Sequence, residues 1–212
     1  MKVELKNYTK IIKKVKVLDR INLSIEGGKV YGFIGKNGSG KTMLLRAVAG
    51  LIRPTEGKVI IDGEKELHRD CDFPPNMGLL LERPNFLNYL SGIENLKMLA
   101  EIRGKIGEKE IAEWLMMFQM DPDEKQIFKK YSLGMKQKIG IIQALMEEPD
   151  LIVLDEPFNA LDEESVETLR KLLLEQKQKG KLIMITSHHK EDIAVLCDVV
   201  YRVSAGAVRL EK

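Results

Sequence analysis

The chain has 212 residues, 44% apolar and 31% charged, with 34 Lys and Arg against 32 Asp and Glu for a formal charge of +2. That length supports one substantial core, or a core with one inserted lobe, and the near-even charge gives no general argument for a nucleic-acid partner. No apolar run approaches the roughly 18 to 20 residues that a bilayer-spanning helix needs. Residues 2–8 and 17–25 alternate apolar and polar side chains, the period of half-buried strands, and the alternation around Val3 and Leu5 is unlike a secretory leader. The basic residues Lys10, Lys13, Lys14, Lys16 and Arg20 fit a solvated strand face better than a nucleic-acid patch. Gly27-Gly28 makes a turn, and VYGFIG then reads as a buried strand entering a glycine-rich loop. MLLRAVAG is a helix stopped by Gly50, with Pro54 beyond it. KVIIDG is a short strand ending in an Asp-Gly turn.

From about residue 83 the texture changes. Pro84, Asn85, Asn88 and Ser91-Gly92 punctuate a loop, and helical patterns follow at roughly 92–103, 108–119 and 132–147. After Pro149, LIVLDEP is a continuous apolar strand of the kind buried in parallel sheets. The helix from Asp162 to about Lys179 opens acidic and closes basic before Gly180, as the helix dipole prefers. LIMIT is another buried strand, and a short helix and a hairpin finish the chain. Strand–helix alternation interrupted by one helical block predicts an α/β core with a helical lobe inserted into it. There is no repeat or low-complexity segment. Cys71 and Cys197 lie within or beside apolar sequence and suggest neither a disulfide framework nor a metal cluster, which points to a reduced, cytoplasmic setting.

Three stretches carry chemistry. GKNGSGKT, residues 35–42, matches G-x-x-x-x-G-K-[S/T]. Its glycines let backbone N–H groups converge on phosphate oxygens, and the helix that starts there adds its N-terminal partial charge. Lys41 is placed to reach the β- and γ-phosphates and Thr42 to offer its hydroxyl to Mg²⁺. The alternative, a purely structural glycine loop, does not account for the position between a buried strand and a helix. LIVLDEP puts Asp155 and Glu156 at the C-terminal end of a strand, the edge where parallel sheets bind ligands. Asp155 is expected to hold Mg²⁺ and Glu156 to orient or deprotonate the attacking water; the alternative is two acids at a strand end. His188 follows the LIMIT strand at the same edge and is placed to hydrogen-bond the γ-phosphate or the water, whereas His189 reads as a surface histidine. In YSLGMKQK, Ser132 can cap a helix with Ile139, Ile142 and Leu145 as its buried stripe. Gly134 in the first turn is either a tolerated small residue or a gap that lets an anion approach.

GKNGSGKT, YSLGMKQ, LIVLDEP, NALD and the Ser-His at 187–188, in this order, resemble the ATP-binding subunit of an ABC transporter. The resemblance runs from residue 35 to 188. It implies a P-loop NTPase core with a mostly parallel sheet, an N-terminal antiparallel β region and an inserted α-helical subdomain. The single domain would span 1–212, with core 1–82 and 148–212 and the subdomain at about 83–147. It implies ATP and Mg²⁺ as ligands, with Gly35, Lys36, Asn37, Gly38, Ser39, Gly40, Lys41 and Thr42 around the phosphates. Thr42, Asp155 and Glu82 would stand by the metal, and Glu156 and His188 would be catalytic. It also implies a head-to-tail pair, homodimeric or with a related subunit, in which Ser132 and Gly134 serve the nucleotide held by the partner and Asp162 faces that partner. Separate membrane-spanning permease subunits would convert ATP hydrolysis into transport, holding this chain at the inner face of the cell membrane.

Some positions depart from the family pattern. The glutamine expected after the strand before the helical block is Glu82, in MGLLLE. The aromatic residue that stacks on adenine is replaced by Ile12, with Val17 near it and Tyr8 as a second candidate. Met135 takes the place of the signature glutamine, so Ser132 cannot form a reciprocal capping box. YSLGMKQ together with MGLLLERPNFLNYLSGIENL is similar to a subgroup serving bacterial exporters of antibiotics and antimicrobial peptides. Export also accords with a chain that stops soon after His188. Phe86, Leu87 and Tyr89 are expected to meet the membrane partner, with local packing as the alternative. A nucleotide-switched assembly protein with the same ATPase head is the rival function, although such relatives carry a long coiled coil or two linked units. A kinase with a similar loop would lack YSLGMKQ and NALD.

Overall fold

Alternating apolar residues build an antiparallel hairpin from β1 (Lys2–Ile12) and β2 (Val15–Glu26). The hairpin belongs to a computed structural model that describes residues 1–82, 84–188 and 190–212; His189 lies outside the described residues. Next come β3 (Lys29–Ile34), α1 (Lys41–Val48), β4 (Glu56–Ile61), the two-residue β5 (Lys65–Glu66) and β6 (Met77–Leu80). The helical block contains α2 (Gly92–Arg103), α3 (Glu108–Met117) and α4 (Leu133–Leu145). The chain returns through β7 (Leu151–Leu154), α5 (Glu163–Gln178), β8 (Leu182–Thr186), α6 (Lys190–Leu196), β9 (Val199–Ser204) and β10 (Ala207–Leu210).

The strands form two sheets. The first is antiparallel, in the order β2-β1-β4-β5. The second is β10-β9-β3-β8-β7-β6, parallel except for β10. Its central strands are buried on both faces, so their sequences read as continuous apolar runs. Val30, Ile152, Leu154, Ile183 and Ile185 pack with the helices α2 to α5, in one core. Tyr31, Phe33, Leu151, Val153, Leu182 and Met184 face the opposite way, against α1 and the antiparallel sheet. Because β3, β6, β7 and β8 run parallel, the loops after them open on a single edge.

Two local features depart from simple periodicity. Register shifts between Leu5 and Tyr8, with Asn7 at φ 51, rephase β1 so that Tyr8 points inward. Tyr8 is fully buried and its hydroxyl donates to the Ile52 carbonyl at 2.9 Å. The expectation that Tyr8 could meet adenine is therefore corrected. Helix α4 buries more than the expected stripe: Ile141 and Ala144 join Ile139, Ile142 and Leu145, because the helix is pressed between the sheet and α2 and α3.

That pressing depends on Gly78. A Cβ at Gly78 in β6 would stand 1.8 Å from the Ala144 carbonyl oxygen and 2.7 Å from Pro149 Cγ. No rotamer relieves a clash with backbone. Gly78→Ala is expected to destabilise the fold by about 3 kcal/mol and to lower Tm by about 10 °C, read by thermal or denaturant unfolding. A variant melting with the parent would show that α4 can lift from β6 at no cost.

Candidate functional site

The loop 35–40 joins β3 to α1. Gly40 sits at the helix N-cap position with φ 111, a left-handed conformation that glycine adopts without strain. No side chain caps α1, so its first-turn N–H groups remain for an anion or water. Lys41 is buried, and its Nζ donates to the Gly35 carbonyl at 2.8 Å and the Lys36 carbonyl at 3.3 Å. The ammonium is thus folded over the loop where phosphate oxygens would lie. Ser39 Oγ is buried without a hydrogen-bond partner among the described residues, a further donor turned into the loop.

The next strand ends meet this loop. Thr42 Oγ1 donates to Asp155 Oδ2 at 2.6 Å, and Thr186 Oγ1 donates to Asp155 Oδ1 at 2.6 Å. Thr186 also accepts the Glu156 N–H at 2.8 Å. It ties the two acidic residues together and was not singled out from sequence; the signal was a polar residue ending the otherwise apolar LIMIT. Glu156 has φ 48, and its carboxylate takes the His188 N–H at 3.1 Å on one oxygen and lies 2.9 Å from His188 Nε2 on the other. Burial holds the Glu156 pKa above the usual carboxylate value, opposed by His188.

These groups line one cleft of about 1190 Å³. Val15, Lys16, Val17, Asn37, Gly38, Gly40, Lys41, Thr42, Glu82, Asp155, Glu156 and His188 are all on its wall. Helix α4 closes the other side through Leu133, Lys136 and Gln137. Lys16, Lys41 and Lys136 therefore face the cleft, a charge pattern suited to a polyphosphate. Gly35 and Lys36 are not on that wall; with His188 they line a second cavity of about 540 Å³.

Other expected residues are placed differently. Ile12 is exposed at the hairpin end and is not on the cleft wall, where Val15 and Val17 stand instead. The Glu82 carboxylate is in the cleft but is turned onto Arg46 of α1, 2.7 Å from Nη2, rather than toward Thr42 and Asp155. Ser132 caps α4, its Oγ accepting the Met135 N–H at 3.1 Å with no reciprocal bond from Met135. Asp162 caps α5 by accepting the Ser165 N–H at 2.9 Å and pairs with Lys138 Nζ at 2.8 Å. These hydrogen bonds hold the Asp162 pKa well below the usual carboxylate range. Phe86 packs edge-on against Phe128, centroids 5.1 Å apart, while Leu87 and Tyr89 are exposed.

Thr42 and Asp155 offer hard oxygens side by side, and among the described residues no three His, Cys, Asp or Glu form a metal cage. That donor set fits Mg²⁺, which binds through one or two protein oxygens and completes its shell with phosphates and water.

A family profile described as ABC transporter matches residues 18–159. The uncharacterized ABC transporter ATP-binding protein YybJ of Bacillus subtilis is 46% identical, over 99% of this chain and 94% of its own. The bacitracin transport ATP-binding protein BcrA of Enterococcus faecalis is 35% identical over 93% of this chain, which spans 65% of that protein. The lantibiotic transport ATP-binding protein SrtF of Streptococcus pyogenes is 33% identical over 99% of this chain and 90% of its own. Among solved structures, the dimeric post-hydrolysis state of the ATP-binding cassette MJ0796 with ADP and Pi superposes with a TM-score of 0.85 at 26% identity, covering 99% of this chain and 98% of that one.

Proposed function

Since this chain belongs to the ABC transporter family, we propose that its hydrolysis of ATP powers export of a drug, antibiotic or peptide by separate membrane-spanning subunits. The observation that carries the ATPase reading is the meeting of Lys41, the Thr42–Asp155 pair and the Glu156–His188 pair in one cleft. The transport names of the relatives support the rest.

Each side chain has a role set by its chemistry. The ammonium of Lys41 and the N–H groups of residues 37–42 bind the phosphates. Thr42 and Asp155 hold Mg²⁺, which when bound neutralises charge on the phosphate oxygens. Glu156 takes a proton from, or orients, the attacking water; His188 keeps that carboxylate facing the cleft and bonds the γ-phosphate. Val15 and Val17 give adenine an apolar contact in place of aromatic stacking, displacing Ile12 from that role. Glu82 acts through its ion pair with Arg46.

The second half of each site comes from another copy or a related subunit, docked head to tail, with Ser132 and Gly134 at its γ-phosphate. The dimeric cassette among the structural relatives supports that arrangement. Leu87 and Tyr89 of the segment at about 83–147 face the permease, which keeps the chain peripheral to the inner face of the cell membrane.

Fluorescent-ATP titration of the full chain and its ATPase rate test these roles together. Lys41→Ala is expected to weaken binding by about tenfold to a hundredfold, the worth of charge-assisted hydrogen bonds. Ser132→Ala is expected to leave monomer binding at the parent value while lowering turnover. Loss of monomer binding in Ser132→Ala would count against the shared site. Transport is tested by affinity purification from detergent-solubilised membranes, with a multi-span protein expected to accompany the chain. Recovery without any membrane protein favours the rival assembly role.

A further inference from the structure

One face of α4 grips the loop that carries the acidic strand end. Gln137 Nε2 donates both of its hydrogens, to the Glu156 carbonyl at 3.2 Å and the Pro157 carbonyl at 3.0 Å. Lys138 Nζ donates to the Phe118 carbonyl at 3.1 Å and pairs with Asp162 at 2.8 Å. Gly134 lies one turn earlier, where a Cβ would stand 2.6 Å from the Ala160 carbonyl oxygen. Positions 134, 137 and 138 are spaced i, i+3 and i+4, so they share one helix face. Gln137 and Lys138 are each only 8% exposed, which is unusual for these side chains and shows both are committed to the contact.

We propose that Gln137 and Lys138 are positioning residues that fix the Glu156 loop to helix α4 and thereby set where the Glu156 carboxylate stands. The loop needs holding. Glu156 and Ala160 have φ 48 and 62, left-handed values that non-glycine residues adopt only when their surroundings impose them. Gln137 binds the carbonyl of the first of these residues, and Gly134 lies against that of the second. Lys138 closes the far end of the loop at the α5 cap. A shift of α4 is therefore passed to Glu156 through hydrogen bonds rather than through a compliant apolar contact. The proposal rests on Glu156 being the group that acts on water.

The test uses the full chain and four variants. Gln137→Leu keeps length but cannot donate, and Lys138→Met keeps the buried stem but not the charge. Lys138→Arg keeps charge and donors, and Glu156→Gln reports on the underlying ATPase reading. ATP affinity is measured with a fluorescent analogue, kcat and KM by phosphate release, and folding by thermal melting. Gln137→Leu is expected to lower kcat by about tenfold to a hundredfold, the range a small misplacement of a reacting group produces, with KM and ATP affinity within about twofold of the parent. Lys138→Met should lower kcat by about tenfold, and Lys138→Arg should restore most of it. If Gln137→Leu fails to fold, the Lys138→Met and Lys138→Arg comparison decides. Parent kcat in the folded variants, or a kcat loss matched by the loss of ATP-binding molecules, overturns the proposal. With Glu156→Gln inert, that outcome removes the clasp alone. Parent turnover in Glu156→Gln removes the ATPase assignment and the clasp with it.

Discussion

Glu156→Gln is expected to bind ATP like the parent, to lose turnover by about 10²- to 10⁴-fold, and to accumulate as an ATP-bound dimer. The amide matches the carboxylate in shape and can still accept the His188 N–H, which the parent bonds at 3.1 Å, so the loop has no reason to move. What it cannot do is take a proton. The phosphate loop, Thr42 and Asp155 are unaltered, so affinity is retained; with hydrolysis blocked, the closed pair has no route to reopen. Single-turnover phosphate release and size-exclusion chromatography with ATP and Mg²⁺ read the two parts. A variant with parent turnover would falsify the assignment of Glu156. The pH dependence has a defined sign. Burial raises the Glu156 pKa, and only the ionised form can accept a proton, so parent kcat is expected to fall with acid at a pH shifted upward from that of an ordinary carboxylate. In Glu156→Gln the residual rate should lack that acid limb.

How much of this was legible in sequence varies with the range of the contact. GKNGSGKT, LIVLDEP and LIMIT each announce a strand entering a loop, and those elements fall as read, because continuous apolar runs bounded by glycine or proline permit few alternatives. Parallel pairing then brings Lys41, Asp155 and His188 to one edge without further information. Tyr8 was not legible: one bulge at Asn7 reverses which residues of β1 face inward, and alternation gives no warning of it. The pairing of Glu82 was not legible for a related reason. Its motif position points to the metal, but its carboxylate pairs with Arg46, and nothing in the local sequence joins residues 36 positions apart. Thr186 is a polar residue ending an apolar strand, and its presence there was the signal; Gln137 and Lys138 lie in the polar run KQK, residues 136–138, which gives none. Asp162, expected to face a partner subunit, also has an in-chain duty, capping α5 and pairing with Lys138.

Gly134→Val is expected to lower turnover by at least about a hundredfold and to destabilise the folded chain by about 2 to 3 kcal/mol. From sequence, the glycine has one chemical explanation: it opens the start of α4 to a phosphate held by another copy. The structure supplies a second that needs no partner. A Cβ there meets the Ala160 carbonyl oxygen at 2.6 Å, well inside contact distance, so the α4 terminus and the loop cannot both stay in place. Gly134 is not at positive φ, and the requirement is therefore space and not backbone freedom. The two explanations separate in measurement. If only the trans phosphate mattered, the variant would melt with the parent and fail solely in ATPase assays. If only the local contact mattered, the melt would shift and turnover per folded molecule would survive. Both effects are expected on the proposed shared site, in which the helix end would reach one nucleotide while the loop it rests on serves the other.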